Sequence, residues 1–175
     1  MLRRRLLCLC LLLLTQCKEP PPAPPQNPVS LLPPETQTGQ RTFGCLVNGQ
    51  AWTLAGSPFG GPLLTCSYLN SRLAVVANRQ GNFNGASTFQ RISLVLDNVT
   101  QRGKYAADDA VLRVGEYEDL NKGCVFTTSV TQTGTIEVTK LDLVNRIASG
   151  RFSFTLETPG CGKVAVTDGR FDSPF

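Results

Sequence analysis

The sequence predicts an all-β domain, an antiparallel β-sandwich or flattened β-barrel of about ten strands, preceded by a signal peptide and a proline-rich tether. Three observations predict it. After Thr42 apolar and polar residues alternate with period two over short runs. Gly, Asn and Pro punctuate those runs at short intervals. No stretch of about ten or more residues in that region has the spacing of an amphipathic helix.

The N-terminus reads as an address. Arg3, Arg4 and Arg5 precede nine unbroken apolar residues, 6–14. A membrane-spanning helix needs about 20, so the run has the proportions of a secretory signal. Leu14-Thr15-Gln16-Cys17 resembles the bacterial lipobox, in which Leu stands three residues before a Cys that is diacylated and becomes the new N-terminus. Thr15 fits the second position, and Gln16 stands where a small residue is usual. Residues 1–16 are therefore read as a lipoprotein signal peptide and Cys17 as the lipidation site. Eight of the twelve prolines fall between residues 20 and 34. Proline lacks the N–H that helices and sheets use, so residues 17–41 read as an extended, lipid-anchored linker. At ~3.1 Å per residue, fifteen such residues reach roughly 45 Å. Residues 42–175 are read as one domain. The implied location is the outer membrane, at the cell surface or the periplasmic face.

Charge and composition exclude several chemistries. Seventeen Lys and Arg oppose thirteen Asp and Glu, a net charge of +4. Three of those cations lie in the signal, and the remaining chain is nearly neutral. It has no basic stripe of the kind nucleic acid requires. Histidine is absent, which removes Ser–His–Asp and Cys–His nucleophiles and imidazole metal ligands. No cofactor motif is present. Residues 56–62 (GSPFGGP) lack the Lys and the following helix of a phosphate loop.

The strands follow in order. Residues 43–47 and 51–54 flank Asn48-Gly49, the strongest short hairpin signal, because a type I′ turn needs positive φ at both central residues. Residues 63–68 and 72–77 flank Asn70-Ser71. In 89–96, Ile92, Leu94 and Leu96 share a face. Residues 98–103 break the chain before Tyr105. Strands are expected over 111–117 and 124–130, separated by Asn121-Lys122-Gly123. Residues 135–141 put Ile136 and Val138 on one face, and 151–156 put Phe152, Phe154 and Leu156 inward. Pro159-Gly160 turns the chain into the last strand, which Asp168-Gly169 bends before Phe171. A helix of one or two turns is expected at 141–148.

Seven cysteines divide into Cys8 and Cys10 in the signal, Cys17, and four in the body. An even number in an exported domain suggests disulfides. The expected pairs are Cys124 with Cys161 and Cys45 with Cys66; isolated buried thiols are the alternative. Zinc would want C-x₂₋₄-C spacing, and the closest pair here is twenty-one positions apart. Glu116, Glu118, Asp119 and Asn121 form an acidic cluster without the Gly and Glu positions of an EF-hand loop. Glu116 and Glu118 share a strand face. Trp52, Phe59, Phe83 and Phe89 are candidates to line a carbohydrate or apolar pocket. Aromatics on strands are usually core, so Trp52 and Phe89 are expected to be buried, whereas Phe59 and Phe83 lie in Gly- and Asn-rich loops and are the better candidates for exposure. The loops 56–62, 80–87 and 119–123, with Phe59, Phe83, Glu116, Glu118 and Asp119, are the candidate recognition surfaces.

Thr36-Gln37-Thr38-Gly39, Thr42-Phe43-Gly44-Cys45-Leu46-Val47-Asn48-Gly49 and Trp52 recur with Gly134-Thr135-Ile136, Pro159-Gly160-Cys161 and Val166-Thr167-Asp168-Gly169-Arg170-Phe171. This set resembles an uncharacterised family of Bacteroidota lipoproteins carrying a domain of unknown function. The resemblance covers most of residues 36–172 and is weakest over 55–120. It implies a location and a fold class but no chemistry. Two function classes remain. One is a non-catalytic binding or structural module, anchored to the membrane by lipid and recognising a glycan or an envelope protein. The other is a small carboxylate-dependent hydrolase acting on glycans, which needs two acids about 5–9 Å apart.

Overall fold

The computed structural model describes residues 27–56, 61–83, 85–106, 113–127 and 134–175. The signal, Cys17 and Phe59 lie outside these residues, and of Phe83 only the backbone is described. Strands β1 (Thr42–Val47), β2 (Gln50–Thr53), β7 (Gly103–Ala106), β10 (Gly134–Asp142), β11 (Ile147–Thr158) and β12 (Gly162–Pro174) form one six-stranded sheet in the order β2-β1-β12-β11-β10-β7. This is sheet A. Sheet B contains β3 (Ala55–Gly56), β4 (Leu64–Leu69), β5 (Arg72–Phe83), β6 (Ala86–Leu96), β8 (Arg113–Asp119) and β9 (Cys124–Thr127), in the order β3-β5-β6-β8-β9 with β4 also on β5. Neighbours run antiparallel except β3, which pairs in parallel with β5.

The turn chemistry sets this pattern. Asn48 and Gly49 both take positive φ, as do Asn70 and Ser71, so each pair reverses the chain in two residues. The bend expected at Asp168 is a bulge. Pairing on β11 jumps from Gly169 opposite Phe152 to Val166 opposite Phe154, with Asp168 at φ 53°.

Two expected secondary-structure assignments are corrected. Residues 141–148 hold no helix: Leu141 and Ala148 are cross-strand partners. The Asp142 carboxylate accepts the amides of Val144 and Asn145, and Arg146 at φ 55° breaks the helical path. Residues 80–87 are mostly strand, with Gln80 opposite Phe89 and Phe83 opposite Ala86. The polar side chains there suggested a loop, but ladder hydrogen bonds are made by the backbone whatever the side chain.

The sheets close face to face over one core, which settles the choice between sandwich and barrel in favour of the sandwich. Leu73, Val75, Ile92 and Leu94 from sheet B meet Phe43, Ile136, Phe152 and Leu156 from sheet A. Gly115 on β8 lies directly under the Phe154 ring of β11. A Cβ there would stand 2.7 Å from the Phe154 ring. Gly115→Ala is therefore expected to lower stability by about 1–3 kcal/mol in urea unfolding, because the ring or the sheet must move. Phe89 departs from its expected place. It is half-buried and lies on the face of β6 opposite to Gln90 and Ile92.

Residues 27–41, read from sequence as linker, lie along sheet A. Asn27 caps the 3₁₀ turn of Pro28–Leu31, and Leu32 is buried. Pro33 sits over Gly44, where a Cβ would stand 2.6 Å from its ring. Glu35 takes two hydrogen bonds from Arg151. The strap ends on Asp172, whose buried carboxylate accepts from Thr36 Oγ1, Ser149 Oγ and the amides of Thr38, Gly39 and Gln40 at 2.6–3.0 Å.

Cys124 and Cys161 are joined, with Cα atoms 5.8 Å apart. The bridge ties β9, the edge of sheet B, to the β11–β12 turn of sheet A. Cys45 and Cys66 are free thiols, so that expected pair is corrected. They lie on β1 and β4, which belong to different sheets. Closeness along the chain does not make these strands ladder neighbours.

Candidate functional site

At one end of the sandwich the interior turns polar. On β5 the inward positions run Leu73, Val75, Ala77 and then Arg79; on β6 they run Leu96, Leu94, Ile92 and then Gln90; on β8 Tyr117 is followed by Asp119. Arg79, Gln90 and Asp119 stand opposite one another in register, a polar row across three strands. Above the row lies a cleft of about 350 Å³, lined also by Asn48, Gln50, Trp52, Thr88, Tyr117 and Lys122. Its size lies within the range of about 300–1,000 Å³ typical of small-molecule sites.

Gln90 and Asp119 are held in place. Trp52, on edge strand β2 of sheet A, is buried and packs edge-on against Phe43. Its indole Nε1 donates to Gln90 Oε1 at 2.9 Å, and Gln90 Nε2 donates to Asp119 Oδ2 at 3.3 Å. A single amide thus joins the two sheets and fixes the carboxylate. Lys122 Nζ lies 3.5 Å from the same oxygen, with its side chain 76% exposed where that of Asp119 is 8%.

The β8–β9 turn that carries both residues is tied down twice. Leu120 N donates to Phe89 O, and Asn121 Oδ1 accepts from Phe89 N. Gly123, at φ 66°, leads the chain into Cys124 and the disulfide. On the other side Asn48 exchanges hydrogen bonds with the backbone of Ala165, which anchors the β1–β2 turn to β12. Burial, then the charge of Asp119, pushes the Tyr117 phenol up, with Arg79 opposing. The phenol stays protonated and can donate as well as accept. The cleft therefore sets a buried carboxylate among fixed amides, a phenol and two cationic side chains. Such a set suits a ligand whose groups both donate and accept hydrogen bonds.

The residues singled out from sequence separate in the structure. Asp119 lines the cleft. Glu116 and Glu118 share the opposite, outer face of β8, as their spacing predicts, and Asn121 is used by the backbone of Phe89. Among the described residues no cluster of carboxylates and thiols could hold a metal ion. Burial, then a hydrogen bond that the protonated Glu116 donates towards Glu118 and the charge of Glu118, pushes the Glu116 carboxyl up, while Arg91, which contacts Glu118 at 3.4 Å, opposes. The free thiols are unlike nucleophiles: burial pushes Cys45 up and Cys66 up to about 12.

Lys122 was reached only as a member of the candidate loop 119–123, and Arg79 and Gln90 were not anticipated. Their signal lay in the alternation, since continuing the inward positions of three apolar strands by one step reaches Arg79, Gln90 and Asp119. Finding the row required strand order and register, which that alternation does not contain. Asp172 was missed as well, because its donors Thr36 to Gln40 lie more than 130 residues away.

The chain matches the family model described as Domain of unknown function (DUF6252) over residues 70–173. The match runs from the β4–β5 turn into β12. It includes Arg79, Gln90, Asp119, Lys122 and Asp172, and leaves Asn48 and Trp52 before it. No curated protein and no solved structure shows detectable similarity. The matched span covers more than half of the chain, and the protein belongs to the DUF6252 family.

Proposed function

We infer that this protein is a lipid-anchored lipoprotein of the bacterial cell envelope, of the Bacteroidota type, whose β-domain is a non-catalytic binding module. The observation that carries the binding role is the row Arg79–Gln90–Asp119, pinned by Trp52 and facing a cleft at one end of the sandwich. Polar side chains on the inward face of a sandwich cost stability unless they are fully paired, and here they line an opening. Vicinal hydroxyls of a sugar both donate and accept, which matches a carboxylate flanked by amides and cations. We therefore assign a glycan as the ligand class. The anchor rests on Arg3–Arg5, the apolar run 6–14 and Leu14-Thr15-Gln16-Cys17. An acylated Cys17 carrying more than one lipid chain would give stable attachment.

The non-catalytic reading is supported by how the carboxylates are used. Asp172 holds the strap, Asp97 pairs with Arg72, Asp142 closes a turn and Glu35 pairs with Arg151. Screening the purified protein against envelope and dietary glycans tests both parts. Saturable binding without product is expected. Asp119→Asn should weaken it about tenfold or more, and the exposed Lys122→Ala severalfold, through loss of charge-assisted hydrogen bonds. Hydrolysis of any of these glycans that Glu116→Gln or Glu118→Gln abolishes would establish the hydrolase instead.

A further inference from the structure

The end of the sandwich opposite the cleft presents apolar side chains on two hairpin tips. Leu69, entering the β4–β5 turn, is 72% exposed, and Leu143 and Val144, in the β10–β11 turn, are 58% and 90% exposed. Tight turns favour Gly, Asn, Asp and Ser, so large aliphatic side chains there need a reason. Both tips are rigid. Asn70 and Ser71 form the two-residue reversal, and Ser71 O accepts from Val99 N. Asp142 holds the amides of Val144 and Asn145 at 3.1 and 2.9 Å and accepts again from Asn145 Nδ2.

The tips come from different sheets and meet around Phe175. The Tyr68 ring lies 5.4 Å from that of Phe175, whose amide donates to Arg146 O, and the Arg146 guanidinium sits 5.8 Å over the same ring. Arg146 is exposed beside Val144. The loop that reaches exposed Arg102 is tied to the other tip through Tyr68 Oη–Val99 O. The anions near these tips are occupied: Asp97 pairs with Arg72, and Asp142 closes its own turn.

From this arrangement we propose that the end bearing Leu69, Leu143 and Val144 rests in the interfacial layer of an anionic bilayer. Leu143 and Val144 project outward, and the hollow beside Leu69 is lined otherwise by the polar Ser67, Asn70, Arg72, Asp97 and Asn98, so it offers no apolar socket for a partner's side chain. A bilayer accepts convex apolar points beside cations, whereas a folded partner needs a complementary hollow. Contact at this end would aim the cleft away from the membrane. The proposal rests on the lipid-anchored reading only for bringing a bilayer within reach.

The test uses full-length protein carrying Val144→Trp, reconstituted in vesicles of phosphatidylethanolamine and phosphatidylglycerol. Trp52 is buried and gives a constant background. The new tryptophan should shift to shorter wavelength in vesicles and be quenched by lipids brominated near the headgroup. An emission that stays water-like and unquenched overturns the proposal. So does a blue shift that appears without vesicles as protein concentration rises, which would mean that a second copy covers the tips. Vesicle flotation of the full-length Cys17→Ser protein separates this from the anchor: Val144→Asp in that background should lower the bound fraction at least fivefold. Equal flotation of the two unlipidated proteins also overturns it, whether or not Cys17 is acylated in the native protein.

Discussion

Replacing Asp172 by alanine is expected to lower the free energy of unfolding by about 3–5 kcal/mol. Five donors converge on this carboxylate: two hydroxyls and the amides of Thr38, Gly39 and Gln40. Hydrogen bonds to a charged acceptor contribute roughly 1.5–3 kcal/mol each, and a buried donor left without a partner costs about 1–3 kcal/mol. The sum is not additive, since the hydroxyls can turn elsewhere and the strap can lift as a unit. The lift should itself be visible as proteolysis within residues 33–41 under native conditions. Asp172→Asn keeps the shape and one accepting oxygen, so about half that loss is expected.

The same contacts make stability depend on pH. Burial alone would raise the Asp172 carboxyl. The bonds from Thr36, Gln40, Ser149 and Gly39 outweigh it and hold the group at about 2. Because the folded value lies below the unfolded one, the stabilisation is complete above pH ~4 and lost as pH falls towards about 2. A shift of this size corresponds to roughly 2–3 kcal/mol. Asp142 is also held at about 2, by Asn145, and titrates over the same window. The informative quantity is therefore the difference between the wild-type and Asp172→Asn curves, in which Asp142 cancels. Denaturant melts between pH 6 and pH 2 should converge as the medium acidifies. Parallel curves would show that Asp172 is not charged in the folded protein.

Loss of the Cys124–Cys161 bridge is the second large effect. The two residues are 37 apart in sequence, and closing a loop of that length removes about 4 kcal/mol of unfolded-chain entropy. Cys124→Ser with Cys161→Ser should lower the melting temperature by roughly 10 °C. The damage should be greatest at the end that holds the cleft. The bridge crosses from sheet B to sheet A there, beside the Thr158 hydroxyl that donates to Val125 O at 2.9 Å. The turn bearing Asp119 and Lys122 leads directly into Cys124. Amide hydrogen exchange should accordingly quicken in residues 119–127 and 158–163 more than around the opposite hairpin tips.

Strand identity and turn position were legible because they are local. Asn48-Gly49, Asn70-Ser71 and Pro159-Gly160 act through φ values that few other residues adopt, and the alternation of Phe152, Phe154 and Leu156 needs only a period of two. The Cys124–Cys161 pair was also within reach, since both residues border turns. What depends on strand order was not legible. β1 lies between β2 and β12, and β6 lies between β5 and β8. These placements put Cys45 and Cys66 in different sheets, carry Asp172 to the N-terminal strap and align Arg79, Gln90 and Asp119. Residues 141–148 show the opposite error. Leu141, Val144 and Ala148 have helical spacing, yet Asp142 and Arg146 close a turn that leaves Val144 in solvent.

The most direct test of the binding cleft follows from there being a single tryptophan in the chain. Its indole N–H, bonded to Gln90, gives one resonance in a ¹⁵N correlation spectrum. That resonance can be followed while full-length protein is titrated with muropeptides, lipopolysaccharide-core oligosaccharides and plant or host glycans. At least one class is expected to move the Trp52 indole and the Gln90 side-chain amide together and saturably, and Lys122→Ala to weaken the response. If every class leaves both resonances in place, or if the shift is unchanged in Lys122→Ala and Asp119→Asn, the cleft is not the binding site.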